Sequence, residues 1–395
     1  MEFNELIKIG REAESELSGR FSLFDETAFE NTLRVMNAFH AGRLSDSHFA
    51  GTTGYGYNDS GRDTLDAVYA DVFGAEDALV RIGFVGGTHA IGCALRAAAP
   101  AGGYISLVGR PYDTLQGVLP YIHAEPRPDG RPDEEAILEL LRPDTPAVLI
   151  QRSRGYSTRA TLSIEDVARL ISLVRGVSPD IAVVVDNCYC EFVERLEPCH
   201  VGADLTAGSL IKNPGGGLAL TGGYIAGKSC FVNKAAEALT VPGIGRECGP
   251  SLGQNRSLFQ GLFMAPHTVA QALKTAVFAA KMLEKLGYAV SPSSDEPRYD
   301  IIQSLLFGDR EKLLRFARGI QKGSPVDSFA VPEPWAMPGY GDEVVMAAGT
   351  FVQGASIELS CDGPLREPYC AYLQGGLTYE AGKLGVLTAL AELLS

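Results

Sequence analysis

No apolar run in this chain approaches the roughly 20 residues of a membrane-spanning helix, so a membrane-embedded function is not expected. Positive charge is in short supply. Against 48 Asp and Glu stand 34 Lys and Arg, a net charge of −14, which argues against nucleic acid or an anionic membrane as the main partner. Cysteine is sparse for a disulfide framework, with eight in 395 residues, and the opening MEFNELIKIGREAESEL is charged and periodic rather than a secretory leader. Reduced thiols in a cytoplasmic protein are the expectation. The pair Cys188 and Cys190 has no second cluster of ligand spacing beside it, so no metal site is expected and both are read as core or pocket-lining thiols. Internal repeats, low-complexity tracts and the G-x-G-x-x-G dinucleotide fingerprint are also missing.

What is there reads as an α/β protein. Apolar residues at three- and four-residue steps make residues 1 to about 42 a helical arm. After a loop rich in Gly, Tyr, Asn and Asp, helices are predicted over Gly61 to Phe73 (closed by Gly74), from Thr88, over Thr114 to Val118, over Asp133 to Leu141, and over Ile164 to Val174 behind the cap Ser163. Between them lie the strands YISLV, AVLIQ and IAVVVD, apolar without polar alternation, as in a mostly parallel sheet covered on both faces. A long helix is predicted from His267 to Leu286. Beyond it come a strand at Ile301 to Phe307, a helix at Glu311 to Ile320 and strand-like pieces through Thr350 to Leu359. The expected division is an arm at 1–50, a large α/β domain at 51–265, and a linking helix with a smaller α+β domain at 266–395.

In open parallel sheets, ligands gather at the carboxyl ends of the strands. Thr88, Tyr112, Gln151, Asp186 and Lys212 all fall at strand ends or helix starts. Lys212 stands in SLIKNPGGG, a composition that belongs to a tight loop, and IAVVVD ends a buried run on Asp186. A lysine on a Gly-rich loop beside a carboxylate at a strand end is the pairing used to hold pyridoxal 5′-phosphate: the amine condenses with the aldehyde and the carboxylate keeps the ring nitrogen protonated. To act as an amine, Lys212 is expected to have a lowered pKa. Gly86-Gly87-Thr88-His89 offers close backbone approach and a helix N-terminus to a phosphate. Tyr112 is placed to stack on a flat ring. Arg366 is the first candidate for a substrate carboxylate, with Arg152 and Arg154 as rivals. Gly222 to Ser229, GGYIAGKS, matches the P-loop spelling, but Tyr224 and Ile225 read as strand, and LALTGGYIAG is taken as a hairpin.

Several strings together, among them GYGYNDSGRDTLDAVYADVFGAEDALVR, GGTHAI, GRPYDTL, VVVDN, SLIKNPGGG, FVQGASIELSCDGPLREPY and YLQGGLTYEAGKLGV, resemble the methionine γ-lyase-like proteins known as aluminium resistance proteins. These are fold-type-I enzymes that depend on pyridoxal phosphate, and the resemblance runs from about Phe21 to the end. It implies a mostly parallel seven-stranded sheet plus a smaller α+β domain. It also implies Lys212 as the anchoring lysine, Asp186 on the ring nitrogen, Tyr112 on the ring, and Gly87, Thr88, His89 and Ser209 on the phosphate. In such lyases a tyrosine from the neighbouring subunit reaches the phosphate, which points to Tyr57 and Tyr55 and to a homodimer or homotetramer. The implied activity is a carbon–sulfur lyase acting on a small sulfur-containing amino acid, by α,β- or α,γ-elimination. An aminotransferase, an aldolase or a non-catalytic cofactor-binding protein would use the same residues. Ile211 replaces the Thr that precedes the lysine in better-known lyases, and Gly-Thr-His replaces Ser-Gly-Met; both leave the substrate open.

Overall fold

The computed structural model describes residues 2–395. Two compact units emerge: Asn31–Phe263, here the sheet unit, and the stretch up to Glu30 with Met264–Ser395, the C-terminal unit. Helix α1 (Phe3–Ala41) opens the chain as one continuous element. In the sheet unit follow α2 (Ser60–Phe73), β1 (Asp77–Arg81), α3 (Gly87–Ala98), β2 (Tyr104–Ser106), β3 (Tyr121–His123) and α4 (Glu134–Leu140). Then come β4 (Ala147–Gln151), α5 (Ile164–Val177), β5 (Ala182–Asp186), β6 (Leu205–Ser209), β7 (Gly223–Gly227) and α6 (Ser229–Leu239).

The seven strands run in the order β1-β7-β6-β5-β4-β2-β3. Pairs from β3 through β6 are parallel, while β7 runs antiparallel to both of its neighbours. The unbroken apolar runs have a simple cause. Ala147 and Leu149 of β4, with Ala182 and Val184 of β5, join one core with α3 and α6 residues such as Ala94 and Val232. Val148, Ile150, Val183 and Val185 join the other, with Val167, Leu170 and Val174 of α5. Successive side chains point to opposite faces, and both faces are covered. Capping fixes the helix starts: Asp133 accepts from the Glu135 and Ala136 amides, and Ser163 forms a reciprocal box with Asp166. Gly74 closes α2 in the left-handed region at φ 66°.

The C-terminal unit contains β8 (Ala289–Ser291), β9 (Ile302–Leu306), α8 (Arg310–Lys322), β10 (Val344–Ala347), β11 (Ser360–Pro364), β12 (Cys370–Gln374) and α9 (Tyr379–Leu393). Its sheet, β10-β11-β12-β9-β8, is antiparallel throughout. Helix α7 (Asn255–Lys285) crosses from one unit's residues to the other's and runs through Pro266.

Four sequence expectations need correction. Helix α7 starts at Asn255, not His267. The helix expected over Thr114 to Val118 is one 3₁₀ turn, Asp113–Leu115. Residues 350–359 hold no strand; the strand is Ser360–Pro364, whose composition disfavours β structure and whose place is fixed by pairing on both sides. The hairpin arms are β6 and β7, so the whole Lys212 loop is the turn between them and LALT is not a strand. Tyr224 and Ile225 do lie in β7, which leaves the P-loop spelling without its loop.

Candidate active site

The strands β4, β5 and β6 finish side by side, on Gln151, Asp186 and, further along, Ser209. After β6 the chain turns sharply: Lys212 precedes the short 3₁₀ segment Asn213–Gly215, and a Cβ on Gly215 would lie 1.8 Å from the Leu210 carbonyl oxygen. Only glycine fits there. The loop sets the Lys212 Nζ 3.9 Å from the centre of the Tyr189 ring.

Asp186 is 6% exposed and its Oδ1 accepts the Cys188 amide at 3.1 Å. Burial pushes its carboxyl above the usual range; the Lys212 ammonium, the Cys188 N–H and thiol, and the Arg159 charge pull the other way. For Lys212, burial works against the charge, but Cys188, Tyr189 and Asp186 outweigh it, and the amine is held protonated well above its ordinary range. The lowered pKa expected from the sequence is therefore not found. Its partners Cys188, Tyr189 and Asp186 favour the cation.

Across from this pair lies the start of α3. Gly87 packs so tightly that a Cβ there would stand 3.1 Å from the Ser209 Cβ and 3.2 Å from the Cys188 Sγ. The N-cap Gly86 supplies no side-chain cap, which leaves the first amides of α3 available to an anion. Thr88 Oγ1 lies 2.6 Å from Thr114 Oγ1. The His89 ring turns back, its Nδ1 accepting the Val85 N–H at 3.3 Å, so what His89 offers an anion is its backbone. Burial, then Arg96, lowers the pKa of that ring. Tyr112 donates its amide to Gln151 Oε1 at 2.8 Å and meets Tyr156 edge to face at 5.7 Å.

Arg152 is not available as a substrate clamp. It is wholly buried, donating to Asn187 Oδ1 at 2.7 Å and Glu194 Oε2 at 2.6 Å, so it steadies the residue beside Asp186 instead. Its rival Arg154 is buried too, against Thr161. Arg366 sits between β11 and β12 of the C-terminal unit, half exposed, with Asp342 Oδ2 at 2.8 Å. Tyr55 and Tyr57 are exposed and stack on each other at 5.7 Å. Their loop is tied down by Asp59, which accepts from Thr52, Ser251, Asn255 and the Arg62 amide. Burial would raise the Asp59 carboxyl, but these bonds bring it down to about 2.

The model of the family described as methionine gamma-lyase matches residues 6–394. The chain belongs to the methionine gamma-lyase family. Within this family it is similar to a solved structure from Clostridium novyi NT described as a carbon-sulfur lyase involved in aluminium resistance. The two are 47% identical with a TM-score of 0.93, covering 98% of this chain and 96% of that one. A Listeria monocytogenes structure, described as a candidate cystathionine beta-lyase involved in aluminium resistance, is 47% identical with a TM-score of 0.94, covering 98% and 99%. The uncharacterized protein YnbB of Bacillus subtilis (strain 168) is 47% identical over 98% of this chain and 96% of its own length. More distant structures, 16% and 17% identical, share the fold alone, which is fold type I.

As a methionine gamma-lyase family member, the chain also carries residues that the sequence reading passed over. Tyr189 was visible only as the middle of a Cys-Tyr-Cys turn. Arg159, 7% exposed, donates to the carbonyls of Gln151, Arg152, Ser153 and Ala160 and turns its charge toward Asp186. Glu191 is wholly buried, accepts from the Tyr224 hydroxyl at 2.9 Å, and leaves Oε2 without a partner. Burial, against its own backbone N–H and reinforced by Glu197, pushes it up to about 8. The one hint was its place just after the Asp186 turn. All eight cysteines are free thiols. No described helix is long and apolar enough to cross a membrane.

Proposed function

We propose that this protein is a carbon–sulfur lyase that uses pyridoxal 5′-phosphate to split a sulfur-containing amino acid, with one water consumed, into a 2-oxo acid, ammonia and a thiol. The observation that carries the reading is the half-buried Lys212 ammonium, close enough for its charge to act on the Asp186 carboxyl, with an uncapped helix start packed against Ser209 beside it. The donor set suits a phosphorylated aldehyde: an amine, an acid for a ring nitrogen, and amides and hydroxyls for a dianion.

Lys212 would hold the cofactor's aldehyde carbon, and Asp186 would keep a proton on its ring nitrogen. The amides of Gly87, Thr88 and His89, with the Thr88 and Ser209 hydroxyls, would hold the phosphate. Tyr112 would cover the ring. Bound there, pyridoxal phosphate supplies an electron sink for negative charge developing at the substrate Cα. Lys212, once its amine is free, takes the Cα proton, and Lys212 or the Tyr112 hydroxyl delivers a proton to the departing sulfur. Arg366, whose guanidinium already holds one carboxylate, is the candidate for the substrate's. Tyr55 and Tyr57, exposed on a firmly anchored loop, suit a phosphate in a second copy's site, so a homodimer or homotetramer in the cytoplasm completes the reading.

Purified protein loaded with the cofactor and given cystathionine, cysteine or methionine should release a 2-oxo acid, and Lys212→Ala should not. If no 2-oxo acid forms while the cofactor is demonstrably attached, the lyase activity is refuted and the cofactor assignment stands.

A further inference from the structure

We propose that Tyr189 is a positioning residue for Lys212, its ring face holding the amine in its protonated state over the site. The inference rests on the reading of Lys212 as the cofactor-anchoring amine.

Tyr189 occupies the left-handed region at φ 72°, an outlier for a bulky aromatic residue. Such conformations persist only where the surroundings over-determine them. Here they do. The Cys190 amide closes a turn on the Asn187 carbonyl at 2.9 Å, and Asp186 Oδ1 takes the Cys188 amide. Asn187 is gripped from two sides, accepting from Arg152 and donating to Glu197 Oε2 at 2.8 Å. The outcome of this fixed turn is one ring aimed at one amine, 3.9 Å from its centre.

The other groups whose charge acts on Lys212 are Asp186 at the end of β5, and Cys188 and Glu191 from the same turn, while Arg159 acts on Asp186. Burial drives both the Cys188 thiol and the Glu191 carboxyl upward, away from their charged forms. Once Asp186 is engaged by a ring nitrogen, Tyr189 is the partner left to the amine. An aromatic face attracts the ammonium and not the neutral amine. Tyr189 thus favours the lysine that has just taken a proton, and removing the ring should let Lys212 act as a nucleophile at lower pH.

The test follows the rate at which Lys212 is modified by formaldehyde and cyanoborohydride against pH, read by peptide mass spectrometry. It uses full-length protein after hydroxylamine has released any bound carbonyl compound. Tyr189→Leu should lower the midpoint by about one pH unit, a roughly tenfold faster modification below it. Tyr189→Phe, which keeps the ring, should recover most of the wild-type profile. Should Tyr189→Leu fold poorly, Tyr189→Gly removes the ring and accepts the left-handed backbone freely. An unmoved midpoint in the ring-less variants overturns the proposal, and so does a Tyr189→Phe midpoint that falls as far as theirs. Formaldehyde needs no cofactor pocket. Failure of pyridoxal phosphate to attach in a parallel reaction would therefore count against the cofactor reading and leave the formaldehyde profile to judge Tyr189.

Discussion

The two units manage charge differently. In the sheet unit Arg81, Asp66, Arg152, Arg159, Asp186, Glu191 and Glu197 are all buried, and Arg152, Asp186 and Glu191 lie within a few residues of the carboxyl ends of β4 and β5. The C-terminal unit builds its core from residues such as Leu305, Phe316, Val345, Leu373 and Leu390 and leaves most ion pairs outside, for example Lys322–Glu392 and Lys285–Glu16; Arg298, Asp300, Glu358 and Asp362 are its buried exceptions. Burying a charge is unfavourable unless partners satisfy it. The sheet unit therefore carries a network that only its turns can assemble, and that is where a cofactor can be held and protons moved. The C-terminal sheet has the simpler task of packing.

This contrast can be broken at its strongest point first. Lys212→Ala should abolish both cofactor attachment and 2-oxo acid release, measured by absorbance and by a coupled assay. Asp186→Asn should still attach the cofactor yet lower kcat/KM by roughly 10²–10³, the scale of losing one preorganised electrostatic partner. In urea unfolding, Arg152→Ala should lose about 3–5 kcal/mol because it strands Glu194 and Asn187 in the interior, whereas Lys322→Ala should lose less than about 1 kcal/mol. Equal losses would erase the distinction between the units.

A smaller effect concerns pH. Glu191 is raised from an ordinary value of 4.5 to about 8, so the folded state keeps a proton that the unfolded chain gives up. The stability tied to that proton is complete below about 4.5 and is lost as pH rises through 8. Glu191→Gln should flatten this decline, seen as a smaller difference between urea midpoints at the two ends of the window. An identical slope in the variant would show that Glu191 is already ionised at neutral pH.

Much of the sheet unit was legible because its signals are local. AVLIQ and IAVVVD are apolar up to their last residue since both faces are covered, and Asp133, Ser163 and Gly74 mark helix ends by capping chemistry. Lys212 and Asp186 stood out for the same reason: each is a charge beside an apolar run. What failed depended on distant partners. SCDGP is a strand only because β10 and β12 flank it, and α7 continues upstream through Pro266 and Gly261, against local preference. Arg152 looked like a clamp until its burial against Asn187 was seen, and no spacing in the sequence brings the Tyr189 ring to Lys212.

The most direct measurement is to load the protein with pyridoxal phosphate, reduce it with borohydride and map the modified peptide by mass spectrometry. The account requires the cofactor's mass on Lys212 and none on the Lys212→Ala protein. Cofactor fixed on another lysine, or on none, would contradict it.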